Sequence, residues 1–235
     1  IGTLDSGVTA DIKDYGNGWY RCSMTAQANA AGGRLRMHLV NVDGGFAYLG
    51  DITKGVYIYG TQAEVGSYPT SYIPNHSGGS VTRGADDCDG AVNASNFNDS
   101  EGVLYAEISA LANDGTFRNI SVSNGTTAQA IRIYYRSNDN QITFLLGSSS
   151  GSGITTSIPS STEFIKVAAK YDTDTIKLFI NGAFINSVSS LTMPTGLQQF
   201  DFNIAGVLPF YGNVKQVLVF KEALSDTELI KLTTI

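Results

Sequence analysis

Apolar and polar residues alternate singly along most of this chain, the two-residue period of a strand with one face covered. In "RLRMHLV", Leu35, Met37 and Leu39 fall on one side and Arg34, Arg36 and His38 on the other. "QAIRIYYRS" sets Ile131, Ile133 and Tyr135 against Arg132, Tyr134 and Arg136. After an "NDN" turn, "QITFLLG" turns Ile142, Phe144 and Leu146 inward. "GWYRCSMTAQ", "GVLYAEISAL", "TFRNISVSNG", "FIKVAAKYD", "TIKLFI", "AFINSVS", "QFDFNIAG" and "GNVKQVLVF" also read as strands. Asn181-Gly182 is the clearest hairpin turn, because both central positions of a type I′ turn need positive φ. Strands this short and regularly spaced, joined by polar turns, predict an all-β, antiparallel sandwich.

The single helix is predicted at the end, in "KEALSDTELIKLTTI". Ser225 followed by Glu228 forms a capping box, Leu224 and Leu229 stand at the staple positions, and Asp226 and Glu228 suit the positive end of the helix dipole. One stretch breaks the regular rhythm. "GVYIYGTQAEVGSYPTSYIP" begins as a strand, with Val56 and Ile58 expected inward and Tyr57 and Tyr59 outward, and ends in two Pro-punctuated steps. Pro69 and Pro74 remove amide donors and hold the chain extended, and Tyr68 and Tyr72 are expected to clamp this exit. The Gly-rich "NHSGGSVTRGADD" follows, so the predicted boundary separates residues 1–77 from residues 78–235.

Composition fits this picture and narrows the function. Of 235 residues, 42% are hydrophobic, enough for a sizeable core, while 15% are charged and 26 are Gly, as turn-rich sheets require. The net charge of −6, with no basic stripe, argues against a nucleic-acid binder. No apolar run approaches the ~20 residues of a membrane helix, and the first residues lack a signal-peptide pattern. Cys22 is expected as a small buried hydrophobe, with a disulfide to Cys88 as the alternative. With only two histidines, His38 and His76, a Cys/His zinc site is not expected. Asp86, Asp87 and Asp89 in "GADDCDG" offer oxygens for calcium but lack the spacing of a calcium loop. They read as a solvated acidic boundary, so no metal and no cofactor is expected.

Glycoside hydrolysis needs two carboxylates about 5–9.5 Å apart across the scissile bond. Glu101 and Glu107 share a face but lie roughly 20 Å apart along a strand. Asp172 and Asp174 fall in a turn, and Asp201 stands alone. No nucleophile elbow or phosphate-cradling loop is present. The chain is expected not to be an enzyme.

Two resemblances sharpen the expectation. "EGVLYAEIS", "KVAAKYDTDTIKLFINGAFI" and "GNVKQVLVFKEALSDTELIKL" resemble, in this order, the strands and closing capped helix of laminin-G-like, concanavalin-A-like lectin/glucanase domains, over residues 85–235. "GNGWYRCSMTAQA", "RLRMHLV", "GVYIYGTQAEVGSYPTSYIP" and "VTRGADD" are similar to the rear half of a carbohydrate-binding-type jelly roll found in bacteriophage structural proteins. Cys22, Thr61 and Ala63 depart from its usual bulkier residues. The resemblance implies a partial N-terminal sandwich, completed by upstream residues or a neighbouring subunit, followed by a complete concanavalin-A-like sandwich. It further implies a virion surface protein, a fibre or decoration component. Its partners would be glycans and other virion proteins, and it would be a homo-oligomer, with a trimer among the options. A purely structural virion protein and a secreted glycosidase or its accessory module are the alternatives.

A sugar offers an apolar face and a ring of hydroxyls, so its site pairs aromatic platforms with planar polar groups. In the first module Trp19 and Arg21, Arg36 and His38, and Tyr57 and Tyr59 share faces of three expected strands; if those strands form one sheet, the six make a candidate glycan platform. Surface aromatics serve equally as a subunit interface. Arg132, Tyr134 and Arg136 form a similar outward row in the second domain.

Overall fold

The structure, a computed structural model, describes residues 5–27, 36–42, 45, 47–66, 68–76, 78–82, 91–136 and 140–235. The chain divides into two compact units, Ile1–Arg83 and Gly84–Ile235.

The first unit holds an antiparallel hairpin of β1 (Val8–Gly16) and β2 (Trp19–Ala26), in register from Val8 opposite Ala26 to Asp14 opposite Tyr20. Its turn takes positive φ at Asn17 (53°) and Gly18 (78°). β1 was not among the expected strands; the signal for it is Gly-Asn-Gly between two alternating runs. Among the described residues this unit's sheet has two strands. Of the expected strand over 34–40, residues 36–40 are described, and neither they nor the expected strand at 55–60 join a sheet among the described residues. Val56 and Ile58, expected inward, are 58% and 59% exposed. Cys22 is exposed as well, on the face of Tyr20 and Met24. The reason is common to all three. Alternation selects a face, but burial needs an opposing apolar layer, and none of the described residues of this unit is buried. Cys88, and with it the alternative disulfide, lies outside the described residues, as do Asp86, Asp87 and Asp89.

The Pro-punctuated exit is held by side chains rather than by a sheet. Gln62 Oε1 accepts from the Ile73 amide at 2.9 Å, and Glu64 accepts from the Thr70 amide at 2.7 Å and its hydroxyl at 2.6 Å. Tyr59 and Tyr72 pack ring against ring, with centroids 5.6 Å apart, and the Arg21 guanidinium donates to the Thr70 carbonyl.

The second unit is the antiparallel sandwich that the alternation predicts. Its strands are β3 (Glu101–Ala110), β4 (Arg118–Ser123), β5 (Ala130–Tyr135), β6 (Gln141–Leu146), β7 (Gly153–Ser157), β8 (Ile165–Asp172), β9 (Thr175–Ile180), β10 (Ala183–Val188), β11 (Gln199–Asp201) and β12 (Gly212–Phe220). They form two five-stranded sheets, ordered β10-β9-β8-β3-β12 and β11-β4-β5-β6-β7. Leu104, Ala106, Ile108, Val167, Ala169 and Leu178 from the first sheet meet Ile120, Val122, Ile131, Ile133, Ile142 and Phe144 from the second in one buried cluster. The Asn181-Gly182 turn has positive φ at both residues (48° and 80°), as its type requires. β7 was not foreseen: "GITTS" is too short and polar to show an alternating signal.

Helix α1 (Asp226–Thr233) covers the outer face of the first sheet. Ser225 caps it: its hydroxyl accepts from the Glu228 amide at 3.3 Å, and Glu228 accepts from the Ser225 amide at 2.9 Å. Leu229 is buried among Val103, Tyr105, Ala168 and Phe179, with Leu224 packed beside it. Asp226 binds Lys177 at 2.8 Å and fixes the helix start to β9.

Gly212 opens β12 at a point with no room for a side chain. A Cβ there would meet the Phe210 ring, and the Ser109 carbonyl would be 2.5 Å away. Gly212→Ala is therefore expected to cost about 1–3 kcal/mol, the usual range for overpacking. The check is a lower midpoint in chemical denaturation with an unchanged slope.

Candidate functional site

The two outer faces of the sandwich differ in kind. That of the helix-bearing sheet is apolar where α1 lies on it. The outer face of β11-β4-β5-β6-β7 is polar. Cross-strand partners in an antiparallel sheet point to the same side, so the register assembles this face row by row. One row runs Asp201, Ser121, Arg132, Leu145 and Gly153; the next runs Asn119, Tyr134, Thr143 and Thr155. Opposite residues in a row have Cβ atoms about 4.5–5.5 Å apart, which sets Asn119 beside Tyr134, with Arg132 diagonal to Asn119 and two residues before Tyr134 on the same strand.

Several of these polar residues are removed from solvent. Asn119, Ser121, Ser123, Thr143 and Asp201 are all buried. The connection from Phe202 to Tyr211 accounts for part of this: Ser121 donates to the Asn203 carbonyl at 2.6 Å and Asn119 Nδ2 to the Leu208 carbonyl at 3.4 Å. That connection bends sharply. Ala205, Gly206 and Leu208 all adopt positive φ, at 49°, 76° and 53°, and the Gly206 amide donates to Asn203 Oδ1 at 2.8 Å. A bulky residue such as Leu208 rarely holds this conformation, and such strain tends to gather at binding sites.

Two buried polar atoms on this face have no hydrogen-bond partner among the described residues, Asn119 Oδ1 and Arg132 Nε. Leaving a polar atom buried and unpaired costs about 1–3 kcal/mol. The Arg132 side chain is half-buried, and its guanidinium lies 5.2 Å from the centre of the Tyr134 ring. Burial pulls its pKa below the ordinary arginine value, partly opposed by Tyr134; a guanidinium stays charged all the same. Phe117 packs against Tyr134 with centroids 5.9 Å apart. A partly exposed aromatic, a cation with spare donors and an amide with a spare acceptor therefore meet on one surface. The sequence showed the row of Arg132, Tyr134 and Arg136; it did not show Asn119, whose neighbours are set only by strand pairing.

The six residues expected as a platform in the first unit do not share a sheet. Trp19 and Arg21 lie on one side of β2, but Arg21 is committed to the Thr70 carbonyl. Arg36, His38 and Tyr57 are exposed on segments outside the sheet, and Tyr59 leans on Tyr72. The shared face was conditional on three paired strands, and one of the three is paired.

Carboxylates are sparse on the polar sheet face: among its strand positions Asp201 is the one acid, and it accepts from Gln199 at 2.8 Å. Glu101 accepts from the Ala223 amide, and Glu107 pairs with Lys215 at 2.9 Å. Among the described residues no group of three His, Cys, Asp or Glu side chains is placed to hold a metal ion.

A family described as the concanavalin A-like lectin/glucanases superfamily matches residues 89–230. No curated protein matches the chain. Among solved structures, the chain is similar to the CBM40 of the Ruminococcus gnavus IT-sialidase bound to α2,3-sialyllactose. That match has 24% identity and a TM-score of 0.48, and covers 59% of this chain and 84% of that one. Domain 4 of AbnA, a GH43 extracellular arabinanase from Geobacillus stearothermophilus, in complex with arabinotriose, matches at 15% identity and a TM-score of 0.49, over 60% of this chain and 70% of that one. The leech intramolecular trans-sialidase matches at 23% identity and a TM-score of 0.45, over 59% of this chain and 24% of its own.

Proposed function

We propose that this chain, which belongs to the concanavalin A-like lectin/glucanase superfamily, is a glycan-binding protein that does no chemistry on its ligand and binds through the polar face of its second unit. The observation that carries this reading is the pair of unpartnered buried atoms, Arg132 Nε and Asn119 Oδ1, beside the Tyr134 ring. A sugar suits such a surface because its apolar face stacks on an aromatic ring while its hydroxyls both donate and accept. Binding without hydrolysis is supported by Asp201 being the one carboxylate among the strand positions of the polar face, since glycosidases commonly need two.

The role as a bacteriophage fibre or decoration component, with virion proteins and further copies of the chain as partners, belongs to this proposal too. Its support is the resemblance of the first unit, above all "GVYIYGTQAEVGSYPTSYIP".

The test is a glycan array followed by titration calorimetry with the best ligand. Tyr134→Ala and Asn119→Ala should each weaken binding by about tenfold or more, equal to about 1.4 kcal/mol. Lys231→Ala, on the helix of the other sheet, should leave binding unchanged. Thermal melts of each variant separate lost binding from lost folding. Equal affinity in all variants would move the site elsewhere, and no binding to any glycan would end the reading.

A further inference from the structure

Charge on the polar face is unbalanced in a way that the other sheet is not. On the helix-bearing sheet every strand lysine has a partner. Lys166 donates to the Thr234 carbonyl and Lys170 to the Leu224 carbonyl, each at 2.8 Å; Lys177 pairs with Asp226 and Lys215 with Glu107. The buried arginine of the polar sheet's first strand, Arg118, is paired with Asp114 at 2.7 Å. Arg132 and Arg136 differ. Both project from the same side of one continuous run, with Tyr134 between them and the Arg136 amide continuing the ladder to the Gln141 carbonyl at 2.9 Å. Neither makes an ion pair or a side-chain hydrogen bond with the described residues.

From this we infer that the ligand of the polar face carries a carboxylate, and that the Arg132 guanidinium receives it, with Arg136 adding charge from about 13 Å along the strand. The inference rests on the glycan-binding reading and names the class of glycan, an acidic one. A half-buried guanidinium has lost part of its hydration, and the group that best restores what was lost is a planar anion matching its fork of donors. A neutral hydroxyl would satisfy a donor but leave the charge uncompensated. Asp201 does not supply the missing anion: it sits two strands away in the same row, about 10 Å by strand spacing, and is engaged by Gln199. The outward-facing strand positions and Arg136 together carry two cations, Arg132 and Arg136, and one acid, Asp201, on a chain whose net charge is −6. The unpartnered Asn119 Oδ1, 1% exposed, is an acceptor and suits a hydroxyl or amide donor of the same sugar rather than its carboxylate.

Sugar carboxylates come from hexuronic acids and from nonulosonic acids, and matched pairs separate the two sources. Calorimetry would compare cellobiouronic acid with cellobiose, and sialyllactose with lactose, on the intact chain. The acidic member of at least one pair should bind about tenfold or more tighter than its neutral twin. That preference should shrink as salt is raised, because part of it is screened. Arg132→Gln should abolish the preference, and Arg132→Lys should restore part of it, having the charge without the fork. Arg136→Gln, at an exposed position, should reduce the preference by a smaller factor and keeps the test open if the Arg132 variants fold poorly. Equal affinity for both members of each pair, or binding confined to neutral glycans on the array, would overturn the carboxylate assignment and leave the glycan-binding reading standing. No binding to any glycan would overturn both.

Discussion

Arg118→Met should remove about 3 kcal/mol from the stability of the second unit, more than any surface change to this chain. Arg118 is 2% exposed, and its guanidinium donates to the Tyr211 carbonyl at 2.8 Å, the Thr116 carbonyl at 2.9 Å and Asp114 Oδ1 at 2.7 Å. It thus ties the start of β4 to the loop that precedes β12. Breaking a buried ion pair from one side typically costs about 3–5 kcal/mol, because the partners left behind stay unpaired. The lower end applies here, since Asp114 is partly exposed and water can reach it. Lys is no substitute, because one ammonium cannot hold three acceptors in the plane of a guanidinium. The melting temperature should fall by several degrees, at about 2–4 °C per kcal/mol for a domain of this size.

The same pair gives the expectation a pH signature. Partial burial of Asp114 opposes its ionisation, but the hydrogen bonds from Arg118 and Thr116 outweigh it, and its carboxyl sits below the ordinary carboxylate value. A depressed folded-state pKa stabilises the fold fully above the unfolded-state pKa. That contribution is lost as pH falls through the folded-state value. Wild type should therefore lose this share on acidification, and Arg118→Met should show a shallower acid slope. Parallel slopes for the two proteins in melts from pH 7 down to pH 3 would count against the pair as a stabilising element.

Phe144→Ala is the second large effect. Phe144 has no exposed surface and stands between Ile133 on β5 and Ile154 on β7, pointing into the cluster shared by both sheets. Removing a buried ring from such a core costs about 3–5 kcal/mol, the lost transfer energy plus the cavity left behind. Domains are stable by about 5–15 kcal/mol in all, so this one substitution should remove a large fraction. Phe144→Leu should cost markedly less, because it keeps most of the volume. Equal losses for Ala and Leu would show that the site is not packed as described.

Much of this was legible in the chain. The alternation of Ile131, Ile133 and Tyr135 with Arg132, Tyr134 and Arg136 identified both faces of β5, because side chains on a strand must alternate whatever lies around them. Asn181-Gly182 fixed its turn, and Ser225 with Glu228 fixed the start of the helix, since each depends on atoms within a few residues. Arg118 was legible only in part: it shares the parity of Ile120 and Val122, but nothing local tells that an arginine at that position will find three acceptors. Val56 and Ile58 make the converse point. Their alternation is as regular as that of β5, yet they are exposed, because no second sheet among the described residues of their unit covers them.

The sequence by itself determined the strand period, the turns, the helix cap and the membership implied by their order, all of which are set by short-range sterics and hydrogen bonding. Only the tertiary structure decided which polar row would lie beside Asn119, which arginine would be paired and which left without an anion among the described residues. Those outcomes depend on strands as far apart in the chain as Ser121 and Asp201 meeting in one register, and no local pattern encodes that meeting.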